Sequence, residues 1–300
     1  TAQESGTYTD FATINTGGLK PDGSDGVNDV TYLILEVIEE MRLLQPSSNL
    51  QLSKKNPNRF LKRAAKIIRT GFGQPSIFNA DVVVQEMVRA GKSVVDARQG
   101  GTSGCVETGA FGKENYNLTG YFNLPKVLEI TLNNGTNPQT GEQIGLQTGE
   151  AATFESYDQL WDAFIRQLNH FIDVKVRGNN VIERLYARYL PVPFLSLIID
   201  DCIATGKDYH DGGARYNTSY IQGVGIGSIT DELAAIRHHV YDQKTLTMAA
   251  LLEMLGDDFA GNEKMRQRLV NKTPKYGNDD EYADAIMQDI FEAYYDAVAG

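Results

Sequence analysis

"GGTSGCVETG", residues 100–109, crowds four glycines, a serine and two threonines around one of only two cysteines in the chain. Glycines at 100, 101, 104 and 109 weaken any helix or strand that runs through them. They suit a tight loop that other groups approach closely. Two positions after Cys105 stands an acid, Glu107. If residues 105 to 107 are locally extended, Cys105 and Glu107 point to one side and Val106 to the other. A thiol and a carboxyl would then face one substrate. The alternative is a buried thiol in a packed loop with Glu107 in solvent. A nucleophilic cysteine needs a nearby cation or a helix N-terminus to lower its pKa. A neighbouring acid does the reverse. It favours the protonated thiol, which suits a donor and acceptor of hydrogen atoms better than a nucleophile.

The surrounding composition narrows the classes. The 300 residues are 41% hydrophobic and 22% charged, as expected of a soluble globular protein. The formal net charge of −11 argues against nucleic acid and anionic membrane surfaces, which attract an excess of Lys and Arg. No apolar run approaches the roughly 20 residues that span a bilayer. The start, "TAQESGTYTD", is polar and unlike a signal peptide. Cys105 and Cys202 make neither a disulfide framework nor a zinc spacing, so a reducing cytoplasm is expected. The chain begins at Thr1 and stops at Gly300, directly after a helical pattern. It is therefore expected to be a piece of a longer protein.

Helical periodicity dominates outward from the loop. Val27, Val30, Ile34, Val37, Met41 and Leu44 recur at three- and four-residue steps before Pro46. Asn56-Pro57 opens a second helix, with Phe60, Leu61, Ala64, Ile67 and Ile68 on one face. Asn79 caps a third, which carries Val83, Met87 and Val88 and is stopped by Gly91. A fourth follows Pro125, and the longest runs from about Glu155 to Tyr189 with a break expected at Gly178. Further helices are expected around 194–205, 231–241, 245–255, 261–270 and 279–298. Strands are expected near Thr119–Leu124 and Ser219–Val224. No repeat, low-complexity tract or domain boundary is visible, which gives one helix-rich α/β segment.

Other chemistry-bearing residues point elsewhere than to a site. Cys202, in "LSLIIDDCIATG", sits on the apolar side of a helix and is expected in the core. The four histidines lack metal-ligand spacing. His238 and His239 are adjacent and diverge by about 100° on a helix, His170 lies in the long amphipathic helix, and His210 has no partner. "GVGIGS", residues 223–228, places its third glycine one position early for a dinucleotide loop and reads as a tight turn into a helix led by Asp231 and Glu232.

"GGTSGCVETGAFGKE" resembles the active-site loop of the glycyl radical enzymes. The resemblance extends through "TGYFNLPKVLEITLNNG", "GGARYNTSYIQGVGIG" and "TPKYGNDDEYAD", with "RTGFGQPSIFN" upstream, and covers nearly the whole chain. Gly-Cys-Val-Glu is similar to the dehydratase and lyase branch. Pyruvate formate-lyase carries two adjacent cysteines where this chain has Gly104-Cys105, and choline and diol enzymes continue with proline where Thr108 stands here. The continuation "ETGAFGKE" most resembles the branch that dehydrates trans-4-hydroxy-L-proline.

The resemblance implies the central part of a ten-stranded α/β barrel, with residues 1–300 a partial pyruvate formate-lyase-like barrel domain. It assigns Cys105 as the thiyl residue and Glu107 as the acid/base, with Ser5, Phe11 and Tyr121 on the substrate wall. The glycines would permit a second, radical-bearing loop to approach. The family's C-terminal glycyl radical signature, Arg-Val-x-Gly-Tyr, does not occur in these 300 residues. The resemblance therefore implies an inactive fragment with no cofactor or metal of its own, the radical residing in the absent C-terminal segment. Implied partners are a small-molecule substrate and a radical S-adenosylmethionine activating enzyme, with a homodimer at full length, no nucleic acid and no membrane, in an anaerobic cytoplasm. Alternatives are a family member acting on a diol or amino alcohol, or a non-catalytic fragment that packs against a partner chain.

Overall fold

The computed structural model describes residues 13–42, 44, 46–103 and 106–299. Along the chain, β1 (Thr13–Gly17), α1 (Asp29–Met41), β2 (Ser47–Leu52), α2 (Asn58–Ile68) and β3 (Ser76–Asn79) alternate. They lead into α3 (Ala80–Arg89), α4 (Val94–Arg98), β4 (Gly101–Ser103), β5 (Glu107–Gly109) and β6 (Glu114–Asn123). Next come α5 (Leu124–Leu132), α6 (Tyr157–Tyr189), α7 (Pro193–Ser196), α8 (Cys202–Thr205) and β7 (Tyr216–Val224). The chain ends with α9 (Ile226–Ile236), a π-helical turn at Arg237–Asp242, α10 (Met248–Gly256), α11 (Glu263–Asn271) and α12 (Glu281–Ala299). Two compact units result: 1–117 with 184–220, and 118–183 with 221–300. The chain passes between them within β6, α6 and β7, and β6 pairs with β7.

The first unit is built on β1-β2-β3, a parallel sheet in which Asn15 faces Asn49, Gly17 faces Gln51 and Leu52 faces Asn79. Helical crossovers are what parallel neighbours require. Asn28 and Thr31 form a reciprocal capping box at the start of α1, and Asn79 caps α3 by accepting from Val82 N. Leu35 and Ile38 of α1, Leu50 of β2, and Phe60, Ala64 and Ile67 of α2 make one core. The predicted apolar face of α2 is narrower than expected, because Leu61 and Ile68 are exposed. Asn49 and Gln51 alternate with Leu50 and are buried on the other side of β2.

In the second unit, Asn123 caps α5, with Pro125 in its first turn. Helix α9 packs on α5 and α12. Leu128, Phe164, Leu168, Ile229, Leu233, Ile286 and Ile290 belong to its core. Gly225 opens α9 at φ +87°, and a β-carbon there would lie 2.7 Å from Pro125 Cδ, so backbone and space both demand glycine. The turn expected over 223–228 is Gly225 alone, between β7 and a helix that starts at Ile226, earlier than the acids suggested. The break expected at Gly178 does not occur: α6 runs 33 residues through it. Gly178 has no atom within 4 Å of a would-be β-carbon, and a glycine in an exposed helix costs only about 1 kcal/mol. The helix expected over 194–205 is two single turns, α7 and α8, with Asp201 at φ +77° ahead of the second.

Candidate active site

The glycine-rich stretch is a hairpin. β4 and β5 are antiparallel, with Gly101 opposite Gly109, Thr102 opposite Thr108 and Ser103 opposite Glu107. Val106 lies in a turn, and its amide donates to Glu107 Oε2 at 3.1 Å. The strand is described from Glu107 onward, and the alternation argued for 105–107 falls partly outside the described residues. Cys105, Ser5 and Phe11 lie outside the described residues.

Two polar clamps hold this short hairpin, one on each strand. On β4, Thr102 Oγ1 accepts from Asn49 Nδ2 (2.8 Å) and Gln51 Nε2 (2.9 Å), and its carbonyl accepts from Asn15 Nδ2 (2.7 Å). This is why β2 buries polar side chains: their partners come from the hairpin. Beside β5 lies Glu114, almost fully enclosed and 3.1 Å from the equally buried Lys92 Nζ. A buried ion pair offsets its desolvation only if its remaining lone pairs are satisfied. Here Oε2 accepts from Ala110 N (2.8 Å), and Oε1 accepts from Thr218 Oγ1 (2.6 Å). The Tyr220 hydroxyl donates to the Thr108 carbonyl at 2.5 Å and lies 3.2 Å from Glu114 Oε1. Its ring stacks on Tyr116, centroids 5.7 Å apart and planes 6° from parallel. Burial, followed by the charge of Glu114, raises the pKa of both phenols, so they stay protonated.

The glycines serve this packing. Gly100, Gly101 and Gly109 all have ordinary φ, so space is what they supply. A β-carbon on Gly100 would strike the Gly109 carbonyl. On Gly101 it would come within 3.0 Å of Asn15 Oδ1 and of Phe111 Cζ. On Gly109 it would strike the Tyr116 hydroxyl and Glu114. The close approach inferred from the sequence is thus found inside the unit itself, at these three positions.

Tyr121 belongs to the second unit and is 67% exposed, so it is not a core residue there. It lines an open cleft of about 660 Å³ with Asn123, Val224, Ser228 and Glu232. Glu232 keeps water-accessible surface, but partial loss of hydration, then the charges of Asp231 and Glu129, push its carboxyl up to about 7. Cys202 is core, packed with Tyr209 and Ala214, and burial, then Asp208 and Asp201, raise its thiol pKa. The histidines have structural partners: His210 Nδ1 donates to the Leu190 carbonyl, and the ring of buried His239 meets Thr245 and Thr273. Among the described residues no three His, Cys, Asp or Glu could hold a metal ion, and no helix is long and apolar enough to cross a membrane.

A pyruvate formate lyase-like family model matches residues 1–300. The chain belongs to the pyruvate formate lyase-like family. Within it, the chain is 59% identical to trans-4-hydroxy-L-proline dehydratase of Clostridioides difficile over 300 residues, all of this chain and 38% of that protein. The crystal structure of hydroxyproline dehydratase from Clostridioides difficile with trans-4-hydroxy-L-proline bound matches with a TM-score of 0.92 and 59% identity. That match covers 99% of this chain and 38% of the other. The glycerol-bound form of the B12-independent glycerol dehydratase from Clostridium butyricum matches with a TM-score of 0.88 and 34% identity, over 96% of this chain and 36% of that one. The chain thus spans little more than a third of these relatives. Its mixed α/β structure and its likeness to barrel-fold glycyl radical enzymes bear out the expected fold class.

Proposed function

We propose that this chain is the part of a glycyl radical dehydratase that carries the thiyl residue and the acid/base, and that the whole protein dehydrates trans-4-hydroxy-L-proline to 1-pyrroline-5-carboxylate. The observation that carries this reading is the 59% identity, unbroken across the chain, to a hydroxyproline dehydratase. The glycyl radical, placed by the family pattern in a segment these residues do not include, supplies the acceptor that removes the hydrogen atom from the Cys105 thiol. Cys105 then takes a hydrogen atom from the ring carbon beside the substrate nitrogen. Water leaves from the neighbouring hydroxylated carbon, and Cys105 returns the hydrogen atom. Glu107 moves the proton that accompanies loss of the hydroxyl. The hairpin geometry suits this role, since the Glu107 carboxylate sits at the first residue of a strand whose backbone is fixed on both edges. Ser5, Phe11 and Tyr121 form the substrate wall: Ser5 and Tyr121 offer hydroxyls to the carboxylate or hydroxyl of the substrate, and Phe11 offers a ring to pack on. A radical S-adenosylmethionine enzyme installs the radical, and the full-length protein is a homodimer of the anaerobic cytoplasm.

Cys105→Ser in the activated full-length protein tests the assignment. A hydroxyl holds its hydrogen far more strongly than a thiol. Electron paramagnetic resonance should therefore still detect the glycyl radical while product formation is abolished. Appreciable dehydration by the serine variant would remove Cys105 from the reaction.

A further inference from the structure

A two-stranded hairpin with three residues a side does not hold itself in place. The reaction proposed above asks one of its residues, Glu107, to meet a substrate atom within a few tenths of an ångström. Something outside the hairpin must therefore set the position of β5. On β4, Thr102 is tied to β1 and β2. On β5, the carbonyl of Thr108, the residue bonded to Glu107, accepts from the Tyr220 hydroxyl at 2.5 Å. Tyr220 comes from β7, more than 100 positions along the chain.

The position of Tyr220 is itself fixed. Its ring lies on Tyr116. Its hydroxyl oxygen lies 3.2 Å from Glu114 Oε1, and Glu114 is locked by Lys92, Ala110 N and Thr218. A phenol has a single proton. Glu114 already receives three donors, so the shorter contact, to Thr108, takes that proton. The raised phenol pKa keeps it there across the working pH range.

We propose that Tyr220 is a positioning residue for the Glu107 acid/base, acting through the Thr108 carbonyl and backed by the buried Lys92–Glu114 pair. The role rests on the dehydratase reading only in taking Glu107 as the proton carrier. The Tyr220 hydroxyl holds the Thr108–Gly109 peptide, one unit beyond the peptide that follows Glu107, and so fixes the course of the strand from which the carboxyl projects.

The test is Tyr220→Phe in the full-length activated enzyme, alone and combined with Glu107→Gln. Phenylalanine keeps the stack on Tyr116 and removes one donor. The single variant should keep its glycyl radical signal, and its KM should stay within about twofold while kcat falls about tenfold or more. Its solvent deuterium isotope effect on kcat should rise, because a misdirected carboxyl makes proton transfer slower than the other steps. In the Glu107→Gln background the same change should cost less than about twofold, since the group it directs is gone. Losses that multiply in the double variant would overturn the proposal, as would an unchanged kcat or a loss confined to KM. Failure of Tyr220→Phe to fold would place the residue in the scaffold and overturn it equally. If the unmodified enzyme prefers a substrate other than trans-4-hydroxy-L-proline, the substrate reading fails by itself, and the comparison of the two single variants and the double variant with the unmodified enzyme is made on the preferred substrate.

Discussion

Glu107 and the residues around it show what a sequence exposes at the scale of a single side chain. A cysteine among glycines with an acid two places on is local, and local chemistry is legible. Glu107→Gln keeps shape and an acceptor oxygen for the Val106 amide but cannot carry a proton. In full-length activated protein it should lower kcat by about 10²–10⁴-fold with the fold intact, as loss of a general acid–base does. A kcat within about threefold of the unmodified enzyme would make Glu107 structural. The groups that hold the hairpin were not legible. Lys92, Glu114, Thr218 and Tyr220 come from distant segments, and each alone reads as an ordinary surface residue. One signal was present in hindsight: "GGARYNTSYIQG" carries more hydroxyls than a buried strand needs for packing. They serve Glu114 and Thr108.

At the scale of elements, most helices and the two longest strands, β6 and β7, were legible, and β1 to β5 were not. The cap at Asn79, the openings at Asn56-Pro57 and Pro125 and the stops at Gly91 and Pro46 mark helices within a few residues. β2 reads "SSNLQL", four of its six residues polar, and was missed because Asn49 and Gln51 face partners from the hairpin rather than solvent. β4 and β5 were hidden by their glycines, which make room for Phe111, Tyr116 and Glu114. The element that ties 93–98 to the start of β7 offers a stability test. Asp96 accepts from Tyr216 OH at 2.8 Å and pairs with Lys113 and Arg215. Burial opposes its ionisation, but hydrogen bonds from Tyr216, Lys113 and Ser93 and the charge of Lys113 outweigh it and hold the carboxyl at about 2. Because the folded value lies below the unfolded 3.8, this stabilisation is present above pH 4 and is lost as pH falls from about 4 to about 2. Asp96→Asn should therefore cost about 2 kcal/mol at pH 7, seen as a drop of several degrees in the thermal melt of the full-length protein. The difference should shrink on acidification toward pH 3. A penalty independent of pH would show that the charge of Asp96 is not what stabilises the fold.

For the whole molecule, the family pattern carried further than periodicity did. Helical spacing gave a helix-rich α/β segment and no boundary, because the two units exchange the chain inside β6, α6 and β7, where no linker composition marks the passage. Motifs spread from residue 69 to residue 284 gave the family, and a family match over residues 1–300 agrees with them. Substrate choice is the property of the whole enzyme on which the account depends most. A cyclic amino acid needs a compact site with an apolar wall and a few polar anchors. In the proposed reading Phe11 and Tyr121 supply that wall and an anchor, whereas a cage for trimethylammonium would need clustered aromatic rings. The decisive measurement is turnover by the full-length, anaerobically activated protein on trans-4-hydroxy-L-proline, choline, glycerol and propane-1,2-diol, with the glycyl radical quantified in the same sample. The account predicts 1-pyrroline-5-carboxylate from trans-4-hydroxy-L-proline, with kcat/KM at least about tenfold above every competitor. A diol or choline turned over faster, or no product from a sample that carries the radical, would contradict it.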